Sequence, residues 1–86
     1  MAEWEIKAVG RDRVGNSLTF CGDEPFNWKV WILDLVDDIE GSRHSYFVSG
    51  RRGERVEVIV AVEAHGKIVR THPDAGDDLL AQLPRC

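Results

Sequence analysis

Valines recur at every second position of residues 55–62, at positions 56, 58, 60 and 62. Successive side chains of a strand point to opposite faces, so these four valines share one face, and that face needs an apolar cover. Residues 28–40 supply the cover, because their apolar side chains collect on one side of a 3.6-residue helix. The side chains on that helix face are Trp28, Trp31, Ile32, Leu35, Val36 and Ile39.

Shorter alternating segments predict the remaining strands. Trp4, Ile6 and Ala8 alternate with polar residues and indicate a first strand, and residues 18–20 indicate a second, joined to it by a turn over residues 10–16. Residues 44–48, 55–62 and 67–71 form an antiparallel meander, because glycine-containing turns separate them. The fold class is therefore α+β: a mostly antiparallel sheet of about five strands, in the order hairpin, helix and three-strand meander, with one helix packed on one face.

The ends of the helix and the register of the meander are also predicted. Asn27 is suited to the N-cap, and Gly41 to the left-handed residue that follows a helix. Pairing Ser49 with Glu54, and Ala64 with Lys67, turns one set of side chains toward the helix. That set comprises Phe47, Val56, Val58, Val60, Val62 and Val69. The opposite, mixed face then comprises His44, Tyr46, Val48, Arg55, Glu57, Ile59, Ala61, Ile68 and Arg70.

Length and charge narrow the function classes. At 86 residues and 9.7 kDa, the chain is predicted to be a single small domain over residues 1–86, with residues 73–86 as an irregular C-terminal tail packed on the body. So small a core leaves little room for a catalytic cleft formed by this domain alone.

The net charge of −4 provides no global attraction for nucleic acid. The acidic start and the lack of a long apolar run predict a cytoplasmic protein without a membrane partner.

Candidate chemistry is sparse. Cys21 and Cys86 are far apart in sequence, and we expect two free thiols in a reducing compartment. The possible metal ligands Cys21, His44, His65 and His72 show no spacing typical of a metal site, so neither a metal nor a cofactor is predicted. Neither a nucleophile motif nor a triad spacing is present, and no catalytic residue is assigned.

Arginines form the strongest local charge feature. Arg51, Arg52 and Arg55 lie at or beside the tip of a predicted hairpin, with Arg70 placed nearby. Guanidinium groups bind phosphate or carboxylate in a fork geometry, which makes these four residues the binding candidates. A solvated turn explains the same residues without any ligand. Trp31 is interpreted as a buried anchor, so Trp31→Ala is expected to cost about 3 to 5 kcal/mol.

Several weak motifs, in order, resemble a known bacterial family. They are Trp28 opening a helix, Ile39-Glu40-Gly41 closing it, Tyr46-Phe47-Val48, Gly66-Lys67-Ile68-Val69-Arg70-Thr71, Asp74, and Asp78-Leu79-Leu80-Ala81-Gln82-Leu83-Pro84. Over nearly the whole chain this looks like the family of short uncharacterised proteins known as the domain of unknown function numbered thirty-eight ninety-two. Ile68 departs from the aromatic residue associated with that family's final strand. The resemblance implies a small stand-alone bacterial domain and no activity.

These observations favour a small interaction or accessory module that is not an enzyme. It would bind an unknown protein partner, or a second copy of itself, through a sheet edge or the second sheet face. The alternative is a nucleic-acid-binding module that uses the hairpin of Arg51, Arg52 and Arg55. A small enzyme is the third possibility.

Overall fold

A computed structural model describes residues 2–73, 76 and 78–86. Asp74, which contributes to the family resemblance, lies outside the described residues. Within that part of the chain the elements are seven strands, one α-helix and a C-terminal 3₁₀ helix. They are β1 (Ala2–Glu5), β2 (Ala8–Arg11), β3 (Ser17–Gly22), β4 (Trp28–Trp31), α1 (Ile32–Glu40), β5 (His44–Ser49), β6 (Arg55–Glu63), β7 (Gly66–Thr71) and the 3₁₀ helix (Leu79–Gln82).

The strands form two sheets. The larger has the order β1-β5-β6-β7 and is antiparallel except for the parallel pair β1 and β5, and the smaller has the antiparallel order β2-β3-β4. The chain crosses between the sheets at two consecutive residues. The Ile6 amide donates to the Phe47 carbonyl at 2.9 Å, and the Lys7 amide to the Cys21 carbonyl at 2.8 Å. The predicted α+β class with mostly antiparallel pairing is confirmed, whereas seven strands in two sheets replace about five strands in one.

A single core fills the space between the two sheets. Leu35 and Val36 enter it from the helix, and Leu80 enters it from the C-terminal 3₁₀ helix. The strands supply Val9, Phe20, Tyr46, Val48, Val58 and Val69, and Ile6 enters the core from the link between β1 and β2. Because the second sheet covers much of the first, the helix covers less of the valine face than predicted.

The predicted helix is too long by four residues. Residues 28–31 form β4, which pairs with β3, and only Ile32–Glu40 is helical. Alternation along β4 therefore places Trp28 and Trp31 on opposite faces, and Trp31 is 59% exposed. Asn27 precedes β4 and is not the N-cap, and Gly41 has a φ of −86° instead of the left-handed value. The positive φ falls on Ser42, at 55°.

The predicted register of β5 and β6 is wrong by one residue. Ser49 pairs with Arg55, which inverts the faces of β5. Tyr46 and Val48 are buried, while Phe47 lies on the outer face beside Glu57. The segment Tyr-Phe-Val is apolar at three successive positions, so its pattern does not indicate which residues face inward.

The β6–β7 register differs from the prediction by two residues, with Val62 opposite Lys67. A shift of two preserves the faces, and Val69 is buried as predicted. Val62 itself is 80% exposed, because β6 extends beyond the part of the sheet that the core covers.

The C-terminal segment is held by a buried threonine. Oδ1 of Asp78 accepts from the Thr71 amide at 3.1 Å, from the Thr71 hydroxyl at 3.3 Å and from the Leu80 amide at 3.1 Å. The Thr71 hydroxyl oxygen also accepts from the Leu79 amide at 3.0 Å. Beyond the 3₁₀ helix, the Val9 amide donates to the Pro84 carbonyl at 2.9 Å, which places the end of the chain along the free edge of β2.

Cys21 and Cys86 form a disulfide, with their Cα atoms 6.2 Å apart, so the expectation of two free thiols is wrong. The pairing of the C-terminal segment with β2 brings Cys86 close to β3, although the two cysteines are far apart in sequence.

No helix in the described part of the chain is long and apolar enough to cross a membrane.

Candidate functional site

The four candidate arginines lie in separate environments. Arg51 and Arg52 occupy the turn between β5 and β6 and line an open groove. Arg55 lies on the outer face of the larger sheet, where it forms an ion pair with Glu3 and stacks 4.1 Å from the centroid of the Phe47 ring. Arg70 donates from Nε to the Thr71 carbonyl at 2.9 Å. The structure therefore brings Arg51 and Arg52 together, and leaves Arg55 and Arg70 engaged elsewhere.

The groove beside the turn, here the hairpin groove, has a volume of about 860 Å³. Its floor includes the buried Val56 and the half-buried Leu79. Its lining residues are Arg51, Arg52, Gly53, Glu54, Val56, Leu79 and Gln82. It thus combines two guanidinium groups with an apolar floor, between the β5–β6 turn and the C-terminal 3₁₀ helix.

A second cavity of about 740 Å³, here the edge groove, lies on the other side of the 3₁₀ helix. Residues 63–69 line it from the end of β6 and from β7, and residues 15–18 line it from the β2–β3 hairpin. Its remaining lining residues are Arg11, Ile32, Asp78 and Ala81. A cavity against one face of a strand would be lined by alternate residues. Because residues 66–69 all line the edge groove, it runs along the edge of β7.

Backbone alternation shows which amides of β7 point away from β6. The His72 amide donates to the Glu57 carbonyl at 2.8 Å, toward β6, whereas the Thr71 amide donates outward to Asp78. Amides of an antiparallel strand alternate in direction, so those of Val69 and Lys67 also point outward, into the edge groove. β7 is the last strand of its sheet, and no other described strand pairs with that edge.

The lysine and the arginine that line the edge groove are already partnered, and the acids that line it are Glu63 and Asp78. Lys67 forms an ion pair with Glu40 at 2.8 Å, and Nη2 of Arg11 donates to the carbonyls of Leu80 at 2.8 Å and Leu83 at 3.1 Å. The apolar part of the lining is contributed by Leu18, Ile32, Ile68 and Val69. The groove therefore offers backbone groups and apolar surface rather than a charged ligand site.

An aromatic cluster lies at the opposite edge of the larger sheet. Trp4 packs edge to face against Trp28 and Phe26, with ring centroids 5.5 and 5.9 Å apart, and also contacts His44. Both indole N–H groups have partners within the chain: that of Trp4 donates to Nδ1 of His44 at 3.4 Å, and that of Trp28 to the Glu24 carbonyl at 3.2 Å. With their donors engaged, these rings serve packing.

Two shifted pKa values have structural causes. Burial, reinforced by the hydrogen bond from its hydroxyl to Asp38 at 2.8 Å, raises the pKa of Tyr46. Hydrogen bonds from Asn16 and from the Val14 amide lower the pKa of Asp12, whose carboxylate organises the β2–β3 turn. Neither group lines the edge groove or the hairpin groove.

In the described part of the chain, no three His, Cys, Asp or Glu side chains are grouped suitably for a metal ion. Cys21 is in the disulfide, and His44 accepts from Trp4.

The edge groove was not predicted from the sequence, because it depends on how two sheets approach each other. No local pattern of apolar and polar residues in the sequence indicates it.

Comparison of the chain with protein-family models, with curated proteins and with solved structures finds no match. The resemblance to the domain of unknown function numbered thirty-eight ninety-two therefore stays a prediction.

Proposed function

We propose that this protein is a non-catalytic interaction module that binds an extended segment of a protein partner along the outer edge of β7. The bound segment would add a strand to the larger sheet. Its backbone would supply affinity through hydrogen bonds, and its alternate side chains would supply specificity in the edge groove.

The observation that supports this proposal is the outward direction of the Lys67 and Val69 amides at an unpaired strand edge that borders a cavity. Open strand edges are a liability that proteins usually cover, so an edge left open beside an apolar cavity is suited to a partner. The apolar side chains of Leu18, Ile32 and Val69 provide contacts for side chains of the added strand. A partner with apolar residues at every second position fits this surface best.

Lys67 offers a sharp test, because its amide points outward while the amides of its neighbours in β7 point toward β6. Lys67→Pro removes the outward donor and blocks strand addition, yet leaves the hydrogen bonds to β6 intact. Lys67→Gln is the matched control, since it removes the same charge and the ion pair with Glu40 but keeps the amide.

The probe is a set of peptides selected from a random display library on the full chain, with affinities measured by titration calorimetry. We expect Lys67→Pro to weaken binding at least about tenfold and Lys67→Gln to change it by less than about threefold. Bound peptide should also slow hydrogen exchange of the Val69 amide. Strand addition at β7 would be contradicted if the peptides bound the two variants with equal affinity, or if bound peptide slowed hydrogen exchange only of amides in other strands. A dimeric solution mass that Lys67→Pro converts to monomer would identify the added strand as that of a second copy.

A further inference from the structure

We infer that the hairpin groove is a second, separate binding site, which takes an acidic peptide segment carrying an apolar residue. Its carboxylates would pair with Arg51 and Arg52, and its apolar side chain would lie on Val56 and Leu79. This site shares no lining residue with the edge groove, so it does not depend on strand addition at β7.

Charge complementarity is the first argument. The ion pairs among the described residues engage Lys7, Arg43, Arg55 and Lys67 with carboxylates and do not include Arg51 or Arg52. Two adjacent exposed cations therefore lack a carboxylate partner among the described residues, in a chain with a net charge of −4. Guanidinium groups bind carboxylates through paired hydrogen bonds, and a ligand carboxylate would meet two such groups here.

Glu54, the one acidic residue among the described residues that line the hairpin groove, forms its hydrogen bonds within the β5–β6 turn. Oε2 of Glu54 accepts from the Arg52 amide at 3.1 Å, and a Cβ added at Gly50 would collide with the Glu54 side chain. The Gly50 amide donates to the Glu54 carbonyl at 2.7 Å, and the Gly53 amide to the Gly50 carbonyl at 3.0 Å. The turn that carries both arginines is therefore ordered before any ligand binds, which lowers the entropic cost of binding.

The floor of the groove distinguishes a peptide from nucleic acid. Leu79 is half-buried, and its exposed part, beside the nearly buried Val56, gives an apolar side chain a surface on which to pack. A phosphate backbone would leave that surface unused, and none of the described aromatic rings lines the groove to stack a base. The observations therefore favour an acidic peptide over a nucleic acid strand.

The test uses a short fluorescein-labelled peptide in which a central leucine is flanked by glutamates, titrated with the full chain and followed by fluorescence anisotropy. The protein variants are the double substitution R51Q/R52Q and the matched double substitution R13Q/K29Q, which removes the same charge at exposed sites outside both grooves. Two further peptides replace the glutamates by glutamines or the leucine by serine. Circular dichroism verifies that both variants are folded.

We expect R51Q/R52Q to weaken binding of the glutamate peptide at least about tenfold, while R13Q/K29Q changes it less than about threefold. Affinity should fall as salt increases, and both altered peptides should bind more weakly than the original. Any of three results would overturn the inference. The two double variants could weaken binding of the glutamate peptide equally, the native chain could fail to bind that peptide at low salt, or replacing the leucine by serine could leave the affinity unchanged. If a single-stranded oligonucleotide of equal charge bound more tightly than the glutamate peptide, and R51Q/R52Q lost that binding, the ligand of the hairpin groove would be a nucleic acid and not a peptide.

Discussion

Two sets of residues around the C-terminal 3₁₀ helix differ in how far their polar groups are satisfied. Toward β2 and the end of β7, Thr71 and Asp78 bond to each other and to the turn that follows, and a disulfide fixes the end of the chain. Along the middle of β7, by contrast, outward amides face a cavity, and at the β5–β6 turn two arginines face solvent.

This difference separates residues that hold the fold from residues free to bind. Asp78 and Leu80, which belong to the motifs that carry the family resemblance, have structural roles: one caps the 3₁₀ helix and the other is 1% exposed in the core. The surfaces proposed for binding are instead the outward backbone edge of β7 and the arginines of the β5–β6 turn, which form no ion pair with any described residue. The motifs therefore contribute to the architecture through Asp78 and Leu80, and to the proposed binding surfaces through residues 66–69 and Leu79.

Among the variants considered, removing the disulfide that fixes the end of the chain should lower the free energy of unfolding most. The bond joins residues 65 apart, and constraining a loop of that length in the unfolded chain is worth about 4 kcal/mol. We expect Cys86→Ser to lower the free energy of unfolding by about that amount, measured by guanidinium denaturation. Reduction of the native chain should reproduce the loss. A variant as stable as the native chain would show that the C-terminal segment is held by its other contacts alone.

Asp78→Ala should have the next largest effect, about 2 to 3 kcal/mol, because it leaves two donors of the fully buried Thr71 without their acceptor. Asp78→Asn keeps the side-chain oxygen and should cost less than half as much. Thermal and chemical denaturation of the two variants measure this difference. If both variants lost equal stability, the negative charge rather than the hydrogen bonds would be the stabilising feature.

Trp31→Ala should have the smallest effect, less than about 1 kcal/mol, since the side chain is 59% exposed. This reverses the cost expected from the sequence pattern. Trp28→Ala is the comparison within the same strand, and should cost about 3 kcal/mol because that ring packs between Trp4 and Tyr46. Equal losses in the two variants would place Trp31 in the core after all.

The sequence predicted the parts of the fold that local periodicity specifies. Alternating valines indicated β6, and glycine-containing turns indicated the meander. The predicted first hairpin was only partly right, because Trp4 lies in β1, which pairs with β5, and only β2 pairs with β3. Periodicity failed where two readings were possible: Trp28 and Trp31 fit both a helical face and an alternating strand, and pairing with β3 selected the strand.

Other features depended on contacts between distant parts of the chain. The disulfide requires Cys86 to lie beside β2 and β3, and the edge groove requires β7 to face the β2–β3 hairpin. Neither arrangement leaves a local pattern in the sequence. The arginine turn was visible because its residues are adjacent, but the apolar floor that Leu79 contributes was not.

Hydrogen exchange of the β7 amides in the free protein, followed residue by residue by NMR, tests the open edge most directly. We expect fast exchange at Lys67 and Val69, alternating with slow exchange at Ile68 and Arg70, and slow exchange again at Thr71, where Asp78 accepts the outward amide. Protection of Lys67 and Val69 equal to that of Ile68 and Arg70 would show that the edge is already covered, and would contradict the proposed binding surface.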